Sequence, residues 1–293
     1  MRRSCASALA GVYVALLVAA LATSRANAQL GAGPALIGSR LILAMVTDTG
    51  NRPLTELEPD DFVIEEGGQP REILSLHVAD YPIVILLDDL SGPSNGADAI
   101  RAAAARFITR VGERPVGVGT LDAAQLFAPL DLPRADVLDR VRRFSAGGAP
   151  PPRPLQAAAM AAHAARDTGA PFSAIVVVSD RAIGSAEIPA GESLAPVLAS
   201  GVPVYVVALR DPSSATSQEG GDVLRALAEQ TRGQYTAIYS SASFSIALDR
   251  LADRLATEML IEYVVPDNGL PAGDVRVGVR IPGAKAIGRG VSK

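Results

Sequence analysis

The chain has 293 residues, 48% hydrophobic and 20% charged, with a formal net charge of −4. That acidic balance argues against a nucleic-acid partner, which demands clustered cations against phosphate. The absence of tryptophan and an aromatic content of 4% leave few stacking platforms for bases or sugars.

Residues 1–28 read as a secretory signal peptide. Arg2 and Arg3 form a basic start, Ala8 to Ala22 an apolar core, and Ala26-Asn27-Ala28 a small-x-small site before Gln29. The apolar run is short and poorly flanked for a membrane span, and an uncleaved anchor is the alternative. Cleavage would remove Cys5, the only cysteine, so the mature chain would hold no disulfide, thiol nucleophile or cysteine metal site. It would also remove three arginines and no acid, taking the net charge from −4 to −7. The expected product is an exported, periplasmic or secreted, protein.

Residues 38–80 read as short strands and turns. Leu41 to Val46 is a run of β-formers ending at the turn cluster Thr47-Asp48-Thr49-Gly50-Asn51, closed by Pro53. Phe62-Val63-Ile64-Glu65-Glu66 leads into Gly67-Gly68, a hairpin signal, and Ile73 to Val78 is expected as the next strand. Three such strands cannot bury a core alone and need a partner sheet.

Residues 81–256 alternate strands with helices. Strands are expected at Ile83–Leu87, Val116–Thr120, Gln125–Ala128, Ala174–Val178, Val202–Leu209 and Gln234–Tyr239. Helices are expected at Ala97–Val111, Arg134–Phe144, Leu155–Asp167, Leu194–Ser200, Gly221–Arg232 and Ser243–Thr257. Continuous apolar strands joined by helices imply right-handed crossovers and a doubly wound, mostly parallel α/β sheet.

Residues 257–293 return to strands: Leu260 to Val265, a turn at Pro266-Asp267-Asn268-Gly269, and the alternating Val275, Val277, Val279 and Ile281. The expected architecture is therefore an α/β domain inserted in a small β-sandwich formed by both chain ends.

Ligands of doubly wound sheets bind outside the carboxyl ends of the strands, where the winding reverses. Three segments fit that place: Asp88-Asp89-Leu90-Ser91-Gly92-Pro93-Ser94, Gly147-Gly148-Ala149-Pro150, and Ser179-Asp180-Arg181. Carboxylates and hydroxyls converging there suit a hard divalent cation, which takes oxygen ligands.

A strand followed by D-x-S-G, then a glycine-rich loop before a helix, then a strand leading into Asp180, resembles the metal-ion-dependent adhesion site (MIDAS) of von Willebrand factor type A (VWA) domains. Outside the α/β region, Val46-Thr47-Asp48 with Gly50 and Pro53, Asp61-Phe62-Val63-Ile64 with Glu66, Gly67 and Pro70, and the Arg276 to Gly290 tail resemble the bacterial VWFA-related family first noted in acidobacterial genomes. The resemblance covers residues 40–291 and implies a VWA, Rossmann-like fold that mediates adhesion or protein interaction and catalyses nothing. It also implies a metal set of Asp89, Ser91 and Asp180, holding Mg²⁺ or Mn²⁺ while a partner's Asp or Glu completes the coordination.

Two positions depart from the family pattern D-x-S-x-S, Thr, Asp. Pro93 takes the second serine's place and Ala149 the threonine's, so the site reads as a degenerate MIDAS. Ser94 and Asp88 are the substitute ligands at hand. The competing reading makes Asp89, Ser91 and Asp180 caps and loop hydrogen-bond acceptors. Partner binding is then metal-independent, through a rim of Gly92, Pro93, Asn95, Ala149, Arg181 and Asp211. A third reading makes the α/β domain a spacer and the sandwich the functional part.

Enzyme readings are weaker. Gly92-Pro93-Ser94-Asn95-Gly96 matches a nucleophile elbow, but the apolar strand ends several residues early, and the only histidines are His77 in a strand and His163 in an Ala-rich helix. A metal-dependent hydrolase using Asp88, Asp89 and Asp180 is the remaining enzymatic alternative. Gly112, Gly117 and Gly119 do not form a dinucleotide loop.

Overall fold

The computed structural model describes residues 37–88, 95–122, 125–144, 152–210, 222–266 and 274–292. The expected signal peptide, the loops at 89–94, 145–151 and 211–221, and the Asn268-Gly269 turn lie outside the described residues. Backbone contacts divide the chain into residues 40–264 with 271–293, and residues 1–39 with 265–270. The elements below belong to the first unit, apart from the first three residues of β1 and the last two of β11.

Strands β5 (Ile83–Leu87), β6 (Val116–Thr120), β7 (Leu126–Ala128), β8 (Ala174–Ser179), β9 (Val204–Leu209) and β10 (Gln234–Ile238) form one six-stranded sheet in the order β10-β9-β8-β5-β6-β7. All neighbours are parallel except β7, which runs antiparallel to β6. The helices between them are α1 (Asn95–Arg110), α2 (Arg134–Arg143), α3 (Pro154–Arg166), α4 (Ala195–Ser200), α5 (Val223–Gln230) and α6 (Ser243–Ala256).

Every residue of β5 is buried because helices cover both faces. Ile83, Ile85 and Leu87 pack with Ile100 and Phe107 of α1, Val137 and Val141 of α2, and Phe244 and Leu248 of α6. Val84 and Leu86 face the opposite core with Ala157, Ala158, Ala161 and Ala162 of α3, Val197 of α4, and Leu224 and Leu227 of α5. The helix spacings explain this. In α1 the buried set Ile100, Ala103, Ala104, Phe107 and Ile108, continued by Val111 just past its end, advances by three and four residues, which makes one stripe on a 3.6-residue helix. In α3 the stripe is almost all alanine, so the helix lies close to the sheet. Arg106–Asp249 and Arg110–Asp253 lace α1 to α6 on the outside. Gly117 and Gly119 serve packing: a Cβ on Gly117 would lie 2.9 Å from Leu126 and 3.1 Å from Leu130.

The chain ends form two antiparallel sheets. One has the order β13-β1-β11-β4 and the other β12-β2-β3, from β1 (Ile37–Thr47), β2 (Phe62–Glu66), β3 (Gln69–Arg71), β4 (Ile73–Val78), β11 (Met259–Pro266), β12 (Val275–Val279) and β13 (Lys285–Val291). Each of β1, β2 and β4 has a C-terminal strand as a neighbour, namely β13, β12 and β11, and all three pairs are antiparallel.

Three details differ from the sequence expectation. Gly67 and Gly68, both at positive φ, turn β2 back onto β3, while β4 leaves for the other sheet to pair with β11. The last tail strand stops at Val279 because a turn closes at 281–284, where Ala284 donates to Ile281. A further strand, β13, was not anticipated. Its Lys-Ala-Ile-Gly-Arg-Gly-Val sequence has weak β propensity and is held by β1. No described helix is long and apolar enough to cross a membrane.

Candidate functional site: the carboxyl edge between β5 and β8

From β5 the chain crosses to β6 on one side, and from β8 it crosses to β9 on the other. β5 and β8 are neighbours whose connections diverge, so the winding reverses between them, and their carboxyl ends are where a doubly wound sheet takes its ligand. The Asp88 N–H donates to Val178 at 2.9 Å and carries the ladder one residue further. This seats Asp88 directly beside Ser179.

The Asp88 side chain is buried, and its Oδ2 accepts the Ser179 hydroxyl. Ser179 Oγ also reaches the Arg181 carbonyl at 2.8 Å and accepts the Arg181 N–H at 3.3 Å, which folds the strand end into a tight turn. That turn brings Arg181 Nε to 3.9 Å from Asp88 Oδ2. The other end of the guanidinium donates to Glu187 at 2.6 Å, and Glu187 also accepts the Gly184 N–H at 2.9 Å. Partial burial by itself would weaken Arg181's hold on its proton. The bond to Glu187 and the charges of Asp88, Glu187 and Asp180 outweigh it and raise the guanidinium above its usual range. Glu187 is correspondingly lowered, chiefly by the Arg181 bond.

Of the residues expected here, the structure brings together Asp88, Asp180 and Arg181. Asp180 is half-buried next to Ser179 in the chain. Asn95 begins α1. Asp89, Ser91, Gly92, Pro93, Ser94, Ala149 and Asp211 lie outside the described residues. Among the described residues, no three histidine, cysteine, aspartate or glutamate side chains gather where they could hold a metal ion. His77 pairs in register with Leu260 in the antiparallel sheet, and His163 sits exposed in the last turn of α3, the end remote from the crevice.

Sequence reasoning missed Ser179 as the partner of Asp88, and Glu187 as the anchor of Arg181. The signal for Ser179 was there, a single hydroxyl closing the otherwise apolar strand Ala174-Ile175-Val176-Val177-Val178. It also missed the next position along the edge. Arg210, after β9, pairs with the α5 N-cap Asp222, bonds the Tyr235 hydroxyl, and shares that ring with Arg225 at 4.4 Å.

A second buried polar cluster lies at the opposite, amino end of the sheet. Glu258, 1% exposed, accepts the Tyr81 hydroxyl and lies 3.5 Å from Arg289 of β13, whose other nitrogen donates to Tyr205 at 3.2 Å. Arg114 lies over the Tyr81 ring at 4.7 Å and donates to the Ala79 carbonyl. Burial pushes the Glu258 carboxyl up to about 7, although the Tyr81 bond and the Arg114 charge pull it down. The Tyr81 and Tyr205 phenols are raised, first by burial and then by Glu258.

No family model matches the sequence, and no curated protein matches it. Among solved structures, the chain is similar to a mutant of the PilB minor pilin from Streptococcus sanguinis, at 10% identity and a TM-score of 0.43, covering 61% of this chain and 62% of that one. It is similar to proximal thread matrix protein 1 from the mussel byssus, at 16% identity and a TM-score of 0.45, covering 61% and 48%; another structure of that protein has zinc in its MIDAS motif. It is also similar to a von Willebrand factor type A protein from Catenulispora acidiphila, at 13% identity and a TM-score of 0.45, covering 87% and 73%. The chain thus spans less than two thirds of the first two of these relatives, and its similarity to the solved structures includes VWA proteins at low sequence identity.

Proposed function

We propose that this chain is an exported VWA-type interaction module that binds a protein partner at the carboxyl edge between β5 and β8, without catalysis and without a divalent cation. One observation carries the reading. At the winding reversal the buried Asp88 lies against Ser179 and near Arg181, the neighbours in the chain of Asp180, which is the last carboxylate that the MIDAS resemblance implies. The α/β region then acts as the binding head, and the two antiparallel sheets, read as a sandwich, act as its base.

The described half of the crevice does not suit a Mg²⁺ or Mn²⁺ ion. Such an ion needs several oxygen ligands in strict geometry. Here Asp88 is sealed against Ser179, and a guanidinium already supplies the positive charge at 3.9 Å. Pro93 and Ala149 remove two of the hydroxyls that the family pattern would contribute. Arg181 remains partly exposed in its pairs with Glu187 and Asp88, so a partner would meet an ion-pair network there.

Two measurements test this. The first is thermal unfolding of the chain from Gln29 in chelator and then in millimolar Mg²⁺ or Mn²⁺, with Asp89→Ala as control. The expected result is no shift. Ligand at about 100 times its dissociation constant would add about 2.7 kcal/mol, roughly 5–10 °C for a chain of this size, and such a shift lost in Asp89→Ala would restore the metal site. The second is proximity labelling in the producing cell with the wild type and Arg181→Glu. A neighbour recovered by the wild type and lost in the variant supports the crevice as the binding face; identical neighbours in both would refute it.

A further inference from the structure

The six-stranded sheet ends at β10, whose described neighbour is β9 alone. The Arg210 N–H donates to Ile238 at 2.8 Å, which sets the phase of that parallel ladder. Backbone groups of Gln234, Thr236 and Ile238 point to β9, so those of Tyr235 and Ala237 point outward. Edge strands are ordinarily blunted by charge, proline or a bulge. Gln-Tyr-Thr-Ala-Ile carries neither charge nor proline, and its register with β9 is unbroken.

Beside this edge runs a groove of about 880 Å³, walled by α6 and by the segment from Met45 to Pro53. Two of its lining residues, Tyr239 and Ile246, are 66% and 57% exposed, unusual for side chains of that size. Its charge is one-sided. Arg52, Arg250 and Arg254 line it against a single acid, Asp253, whose carboxylate is already engaged by Arg110. Arg52 is matched by Asp48 and Arg254 is held by Gln234, while Arg250 has no ion pair or hydrogen bond among the described residues.

We propose that the outer edge of β10 docks an extended acidic segment of a partner protein as an added strand, with apolar side chains in the α6 groove and carboxylates on Arg250 and Arg254. Strand addition supplies main-chain hydrogen bonds for affinity, while alternate side chains supply selectivity. The cationic groove in an otherwise acidic chain selects the sign of the partner. A second copy is the wrong occupant. Two-fold pairing of β10 with itself sets the same patch against its own equivalent, so Arg250 of one copy would approach Arg250 of the other. This surface lies at the sheet edge and does not depend on the β5–β8 crevice.

The test uses end-blocked, fluorescein-labelled heptapeptides of alternating valine and glutamate, or valine and lysine, titrated into the chain by anisotropy. Hydrogen exchange is followed in parallel at the Tyr235 and Ala237 amides. The glutamate peptide is expected to bind at least about tenfold more tightly than the lysine peptide and to slow exchange at both amides. Arg250→Glu should lose that preference while unfolding at the wild-type temperature, because Arg250 is exposed. Ala237→Pro, which deletes an outward N–H, should weaken binding of either peptide. Equal binding of the two peptides, unprotected amides at millimolar peptide, or a dimer in sedimentation that Ala237→Pro dissolves would each overturn the proposal.

Discussion

Glu258 offers the sharpest quantitative test of the folded core. Its carboxyl is 1% exposed and is pushed from its ordinary value of 4.5 to about 7, because burial outweighs the Tyr81 hydrogen bond and the Arg114 charge. The folded chain therefore binds this proton more tightly than the unfolded chain does. Stability from protonation is fully present below pH 4.5, declines as pH rises between 4.5 and 7, and is gone above that. A tenfold change in proton affinity is worth about 1.4 kcal/mol, so the displacement amounts to roughly 3 kcal/mol. Glu258→Gln keeps the volume and can still accept from Tyr81, but it does not titrate. The assay is urea unfolding of wild type and variant at pH 5 and pH 8. Wild type should lose roughly 2–3 kcal/mol more than the variant between these values, slightly less than the full displacement because the decline has already begun at pH 5. Tyr81→Phe removes a contact that lowers the carboxyl, so the declining limb should move to higher pH. Parallel pH profiles for wild type and Glu258→Gln would refute the assignment and show that Arg289, 3.5 Å away, holds the group ionised.

Other perturbations follow from packing. A Cβ at Gly233 would fall inside the van der Waals envelope of the Val204 carbonyl, so Gly233→Ala should cost about 3 kcal/mol or more in chemical unfolding, since backbone cannot step aside as a side chain can. Asp222→Ala removes the α5 cap and leaves Arg210 buried without its carboxylate; about 3–5 kcal/mol should be lost, with Asp222→Asn recovering the capping part. Phe107→Ala opens a cavity in the core shared by α1 and β5 and should cost about 3–5 kcal/mol, read as a lower denaturation midpoint at unchanged slope. Arg106→Ala breaks an exposed α1–α6 bridge and should cost under about 1 kcal/mol, a contrast that separates core from surface terms.

The candidate site was only partly legible. Asp88, Asp180 and Arg181 stand where polar residues follow buried strands, so a doubly wound reading places them at the crevice. What the sequence could not express is which of them faces which. Asp88 was read as a substitute ligand, but the β5–β8 register sets it against Ser179, a residue 91 positions away. Glu187 gave no local signal, since a lone acid after a loop looks solvated until the turn at Ser179 swings Arg181 onto it. The Glu258 cluster draws residues from five elements or their approaches, each an ordinary polar residue in its own window.

Local chemistry determined much of the rest. Buried valine and isoleucine runs specified β5, β8 and β9, and three-and-four spacing specified α1, α3 and α6, because a strand covered on two faces and a helix packed on one stripe leave distinct periods. The Gly67-Gly68 turn was equally local, since it needs two residues at positive φ. Only the tertiary structure decided that β4 pairs with β11 and not with the hairpin before it. It also decided that the glycine-broken segment 285–291 becomes a strand because β1 lies beside it, and that β10 pairs, among the described residues, with β9 alone beside a cationic groove. Pairing between distant segments depends on the edge each finds free, and no single window of the chain carries that information.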